Sequence, residues 1–153
     1  MVRLLELLHY SKSKEEIFFI QKWRCITGIK KISVKNVKVK KLIGRDMKLM
    51  ITPESCGSVK LTFGIIWVPV GSVTKPCHSH LGAEEVIYIC KGNGEAWVDG
   101  DITDFAPGDA ILFPSGSKHM IRNTGDETCE VICVYSPPTS PENYRLYPEI
   151  KFN

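Results

Sequence analysis

The sequence predicts an all-β fold, a sandwich or barrel with a short helical extension ahead of it. Three observations carry this. Short runs rich in β-branched and aromatic residues recur from about residue 34 to residue 135,. Turn-forming clusters separate them, among them KGNG, DGD, APGD, PSGS and NTGDE,. No glycine-rich phosphate loop opens a helix, so nothing supports a nucleotide-binding α/β fold,. Many short strands joined by hairpin-type turns are the pattern of sandwiches and barrels.

The elements divide into three segments. Residues 1–29 form the helical extension: Ser13 followed by Glu16 has capping-box spacing, Ile17 and Ile20 supply apolar spacing, and Gly28 is a stop signal,. Residues 30–138 form the β domain. Its strands are expected at Val34–Leu42, Lys60–Val68, Val86–Cys90, Glu95–Val98, Ala110–Phe113, His119–Arg122 and Cys129–Tyr135,. Residues 139–153, rich in proline and without periodicity, are expected as an extended tail across the barrel or a neighbour,.

Composition narrows the function classes. Net charge is +3, but residues 1–60 carry a balance of +9 and residues 61–153 one of −6. The basic residues alternate with apolar ones, as in KKISVKNVKVKKL, which suits a half-exposed strand whose lysines discourage edge pairing,. No recognition helix or aromatic-basic interleaving accompanies them, so no nucleic-acid partner is expected. The longest unbroken apolar run, IIWVPV, falls well short of the ~20 residues of a membrane span,. Glu6 interrupts the leucines of the first segment and no cleavage pattern follows, so a cytoplasmic location is expected,. The six cysteines form no CxxC pair, and most read as small buried hydrophobes rather than a disulfide framework,.

The chemistry gathers in HSHLGAEEVIYICKG, residues 78–92. Side chains repeat every second residue along a strand, so His78 and His80 share a face and can converge on one ion. Neutral imidazoles suit divalent transition metals, and a carboxylate beside them adds compensating charge. Glu84 and Glu85 both lie within reach. Cys77 alternates away from His78, and Arg122 away from His119; neither is expected in the site,.

Residues 108–123, GDAILFPSGSKHMIRN, extend the pattern. They meet every fixed position of G-x5-P-x-G-x2-H-x3-N, and residues 78–92 meet the end of G-x5-H-x-H-x(3,4)-E-x6-G. With these two motifs the sequence resembles the cupin superfamily over about residues 71–123. One departure is Gly71, which lies six residues before His78 instead of five. The resemblance implies a double-stranded β-helix, or jelly-roll, barrel. It implies that His78, His80, Glu85 and His119 bind one divalent transition metal per chain: Mn, Fe, Ni, Co, Cu or Zn. Glu85 is favoured over Glu84 because it alone leaves six residues before Gly92, and alternation puts it inward with Ile87 and Ile89. Pro114 and Gly116 then make the turn into His119, and Asn123 ties the turn that follows.

Three imidazoles and one carboxylate fill four of six octahedral positions, leaving two for a ligand. The expected function is a metal-dependent enzyme acting on a small oxygen-rich metabolite by oxygenase, isomerase or epimerase, decarboxylase or lyase chemistry. The alternative is a non-catalytic module binding a small molecule. A homodimer is expected, with residues 30–42 adding to a neighbour's sheet.

Overall fold

The computed structural model describes residues 28–152. The helix expected within residues 1–29, with His9 and Cys25, therefore lies outside the described residues up to Gly28.

Two antiparallel sheets face one another. The first has six strands: β1 (Lys40–Leu42), β2 (Arg45–Ile51), β3 (Thr62–Val68), β5 (Glu84–Lys91), β8 (Ala110–Phe113) and β10 (Cys129–Ser136), in the spatial order β1-β2-β3-β10-β5-β8. The second has five: β4 (Cys77–His80), β6 (Gly94–Val98), β7 (Asp101–Phe105), β9 (His119–Asn123) and β11 (Tyr144–Tyr147), in the order β11-β4-β9-β6-β7. The non-sequential order in both sheets is the all-β jelly-roll arrangement expected from the motifs. A four-residue helix, α1 (Pro53–Cys56), lies between β2 and β3, and its Thr52 and Ser55 cap one another reciprocally,.

Alternation sets what each strand buries. Along β3 and β10 every second residue is buried. Ile66, Val68, Val131 and Cys133 thus meet Ile87 and Ile89 of β5 and, from the facing sheet, Ala96, Phe105 and Ile121. Each fully buried aliphatic side chain of this kind contributes about 1.5–3 kcal/mol.

Most expected strands form, and the differences have physical causes. Val34–Leu42 is a strand only at Lys40–Leu42; Val34–Asn36 is a 3-10 turn closed by the Asn36 N–H donating to Ser33 O. Alternating lysines and valines mark a surface segment with one wet side, whether or not a partner strand exists. β2, β7 and β11 are additional, as is β4, which the alternation of His78 and His80 already implied. The sequence of β7, DITDF, has an exposed run too polar to read as a strand, and pairing with β6 holds it extended. In the C-terminal stretch Pro141–Asn143 is a 3-10 turn, and pairing with β4 makes Tyr144–Tyr147 the strand β11.

The hairpin between β1 and β2 has a two-residue turn, Ile43–Gly44, closed by the pair Leu42 and Arg45. Gly44 has φ +75°, and a Cβ there would come within 1.8 Å of Val73 O, so only glycine lets this tip seat,. Lys75 N–H donates to Ile43 O at 3.1 Å, fastening the tip to the chain leading into β4.

Candidate metal centre

The four residues named by the sequence meet between the sheets. His78 and His80 extend from β4 and His119 from β9, with His78 and His119 directly cross-strand in the five-stranded sheet. Glu85 comes from β5 of the opposite sheet, where it pairs with Phe113 on one side and Tyr135 on the other. All four are buried, and one donor atom from each lies within 4.8 Å of the others. Glu84, one residue earlier, is exposed at the rim, as alternation requires.

The outer nitrogen of each ring is engaged. His78 Nδ1 lies 3.1 Å from Pro76 O, and His119 Nδ1 3.0 Å from Ser117 O. A carbonyl only accepts, so each Nδ1 carries its proton and donates. His80 Nδ1 faces Thr139 Oγ1 at 3.5 Å. In the neutral tautomer so fixed, the Nε2 lone pairs of His78 and His119 are available, the arrangement by which outer partners orient metal-binding imidazoles.

Glu85 Oε2 lies 3.0 Å from both His80 Nε2 and His119 Nε2. With His119 Nδ1–H already committed, a neutral His119 would set a lone pair against the carboxylate. A cation between them, or an added proton, removes that conflict. Metal–ligand bonds of about 2.0–2.2 Å put neighbouring octahedral donors about 3 Å apart, the spacing of Glu85 Oε2 from His80 Nε2 and His119 Nε2, with all four donors within 4.8 Å of one another,. The donor set and its spacing therefore fit a divalent transition ion.

Electrostatics agree. Burial, and then the charges of His119 and Arg45, push the His78 imidazole down to about 3, so this ring is neutral near pH 7,. Burial would raise the Glu85 carboxyl, but hydrogen bonds from His119 and His80, with their charge, outweigh it and hold it well below the usual carboxylate range. Cys77, although buried beside His78 in sequence, is outside the cluster, and burial raises its thiol to about 11. Arg122 also turns away, pairing with Glu95 on the adjacent strand. Asn123 does tie the following turn: its Nδ2 donates to Val68 O and Glu127 O, and its Oδ1 accepts from Gly125 N–H. The Pro114–Gly116 turn is closed by Ser117 N–H donating to Pro114 O, and Gly116 N–H anchors it to His80 O.

Of the apolar residues the sequence offers as cavity lining, Ile87, Phe113 and Ile121 do line it, and other wall residues escaped the sequence reading. Phe113 stacks on His119, with centroids 4.3 Å apart and planes at 7°. Tyr135 meets His80 edge-on at 4.9 Å. Tyr135 reads from sequence as core and sheet packing. Tyr144 of β11 stacks on His78 at 5.2 Å and meets His80 edge-on at 4.4 Å; its aperiodic surroundings carried no signal. Arg45 borders the same cavity with Met47, Ile66 and Thr74. The alternation of Arg45, Met47 and Leu49 was its available signal, hidden by the basic run before it.

A jelly-roll barrel with three histidines and a glutamate gathered inside it defines a small cupin domain. Residues 64–135 match the model of the family described as Cupin_2, cupin domain, and this stretch of the chain forms a cupin domain. It is 26% identical to the polyketide synthase CurC of Streptomyces cyaneus over 69% of this chain and 68% of that one. It is 29% identical to the oxalate-binding protein of Thermotoga maritima over 58% of this chain and 73% of that one. The polyketide cyclase RemF of Streptomyces resistomycificus shares the fold, with a TM-score of 0.63, 21% identity, and coverage of 78% of this chain and 85% of that one.

Proposed function

We propose that the protein is a metal-dependent enzyme acting on a small oxygen-rich metabolite, with His78, His80, Glu85 and His119 as ligands of one divalent transition ion. The observation that carries this reading is the convergence of three imidazoles, each engaged at its Nδ1, on one buried carboxylate. A bound Mn, Fe, Co, Ni, Cu or Zn ion would supply Lewis acidity or redox chemistry at coordination positions the protein leaves open.

The chain's own groups have separate tasks. Phe113 and Tyr135 wall the cluster and keep bulk water from it. Burial, followed by the Glu85 charge, pushes the Tyr135 and Tyr144 hydroxyls up, so both keep their protons at Oη and can donate to a substrate oxygen. Similarity to a polyketide synthase and to a polyketide cyclase supports an enzyme. The oxalate-binding protein supports the second reading, a module that binds a small molecule without turning it over. The five cysteines among the described residues are free, which supports a reducing compartment, in keeping with a cytoplasmic location,. The protein is read as a homodimer.

Metal analysis of protein purified without added metal tests the site. Glu85→Gln is expected to lose at least about tenfold in metal affinity, as removal of a ligand's charge requires, whereas Glu84→Gln retains wild-type content. Loss in the second variant alone would overturn the assignment. Turnover that consumes oxygen indicates oxygenase chemistry; anaerobic turnover with several divalent metals indicates isomerase, decarboxylase or lyase chemistry. Binding with no turnover across a broad metabolite panel would favour the module.

A further inference from the structure

Arg45 opens β2 at the edge of the cluster and is 7% exposed. It shares a cavity with His78, Glu85, Phe113, His119 and Tyr135. Its Nη1 is buried and has no hydrogen-bond partner among the described residues. The described ion pairs do not include it, and Glu85, the carboxylate in that cavity, already engages His80 and His119 through Oε2. A buried guanidinium without a counter-anion is costly, since its desolvation is not offset. The cost is built in, because Gly44 and the Lys75–Ile43 hydrogen bond fasten the hairpin tip that carries Arg45.

We propose that Arg45 is the anion anchor of the site and takes the carboxylate of a small carboxylic acid, or the acidic end of a larger molecule, beside the His78, His80, Glu85 and His119 cluster. This rests on reading the cavity as a substrate site and adds the substrate's chemical class. The guanidinium fork matches a planar carboxylate in two parallel hydrogen bonds. Charge agrees: three neutral imidazoles, one carboxylate, one divalent ion and Arg45 leave the site net positive. The exposed lysines of residues 30–41 face solvent and do not serve this purpose.

The test is calorimetric titration of malonate, its neutral counterpart malonamide, and inorganic phosphate into wild type, Arg45→Met and Arg45→Lys. Each is measured as purified and after chelation, with metal content and melting temperature recorded. Wild type is expected to bind malonate in preference to both other probes. Arg45→Met should weaken malonate roughly ten- to hundredfold, as loss of a charged hydrogen-bonding pair does. It should keep its metal and melt at the same or a higher temperature, because removing an uncompensated buried charge relieves the fold. Arg45→Lys, which keeps the charge without the fork, should fall between; it carries the test if Arg45→Met does not fold. Malonate binding equal to wild type in the variants would overturn the proposal, as would phosphate binding more tightly than malonate. A lowered melting temperature in Arg45→Met with unchanged malonate affinity would make Arg45 structural and overturn it too. Arg45-dependent malonate binding in a wild-type protein that holds no metal sinks the metal reading alone. Metal retained with Arg45-independent binding sinks this inference alone.

Discussion

His78 shows how one residue couples the site to the stability of the barrel. Burial, with the charges of His119 and Arg45, pushes its imidazole from 6.5 down to about 3. An unfolded chain takes up this proton as pH drops through about 6.5, the folded one only near 3. Between those values the unfolded state binds more protons, so acid favours unfolding, and the stability gained from a neutral His78 is fully present only above about 6.5. Metal-free protein should therefore lose stability as pH falls from about 6.5 toward 3, with His78 contributing up to about 1.4 kcal/mol per pH unit. His78→Asn, whose amide can still donate to Pro76 O, should flatten that slope in urea melts between pH 4 and 6. An unchanged slope would mean that another group carries the acid sensitivity. The same proton competes with a metal for Nε2, so metal affinity should fall over the acidic side of neutrality.

At the scale of elements, β11 is the strand whose loss should be felt most at the site. It pairs with β4 along the whole of Tyr144–Tyr147, and Tyr144 covers His78 and His80 with its ring. Tyr144→Ala should cost about 2–4 kcal/mol in urea unfolding and loosen metal retention, whereas Tyr144→Phe keeps the ring and should stay within about 1 kcal/mol. Equal stability of the two variants would make the stacking incidental. The contrast between β4 and β11 also explains what could be read in advance. His78, His80 and Glu85 lie within eight residues, and strand period plus one short turn determines how they face one another,. His119 was legible through the Pro114–Gly116 turn. Tyr144 and Arg45 reach the cluster through pairings of distant strands, and nothing local in YRLY or RDMKLMI specifies those partners. The strand expected at Val34–Leu42 forms only at Lys40–Leu42 for the complementary reason: its alternation was present, but among the described residues no strand pairs with its first half.

For the whole molecule, the proposed homodimer turns on which part of the six-stranded sheet would meet a second copy. Edge addition through residues 30–42 has only the three strand residues Lys40–Leu42 to offer, and Lys41 is already paired with Asp46 in its own hairpin. The outward face is better suited. Cross-strand pairing lines up Phe63, Val134, Val86 and Leu112 in one row and Ile65, Ile132, Tyr88 and Ala110 in the next. None of these eight is buried, and Leu112 is 52% exposed. Apolar rows of this extent on a sheet face mark an interaction surface, and packing a sheet against its own copy about a two-fold axis buries both at once. Sedimentation at micromolar concentration should therefore find a dimer, and Val86→Glu with Leu112→Glu should convert it to monomer while circular dichroism stays unchanged. Val39→Pro, which blocks extension of β1, should leave the dimer intact. Dissociation by Val39→Pro but not by the two glutamates would restore the edge route, and a monomeric wild type would remove both.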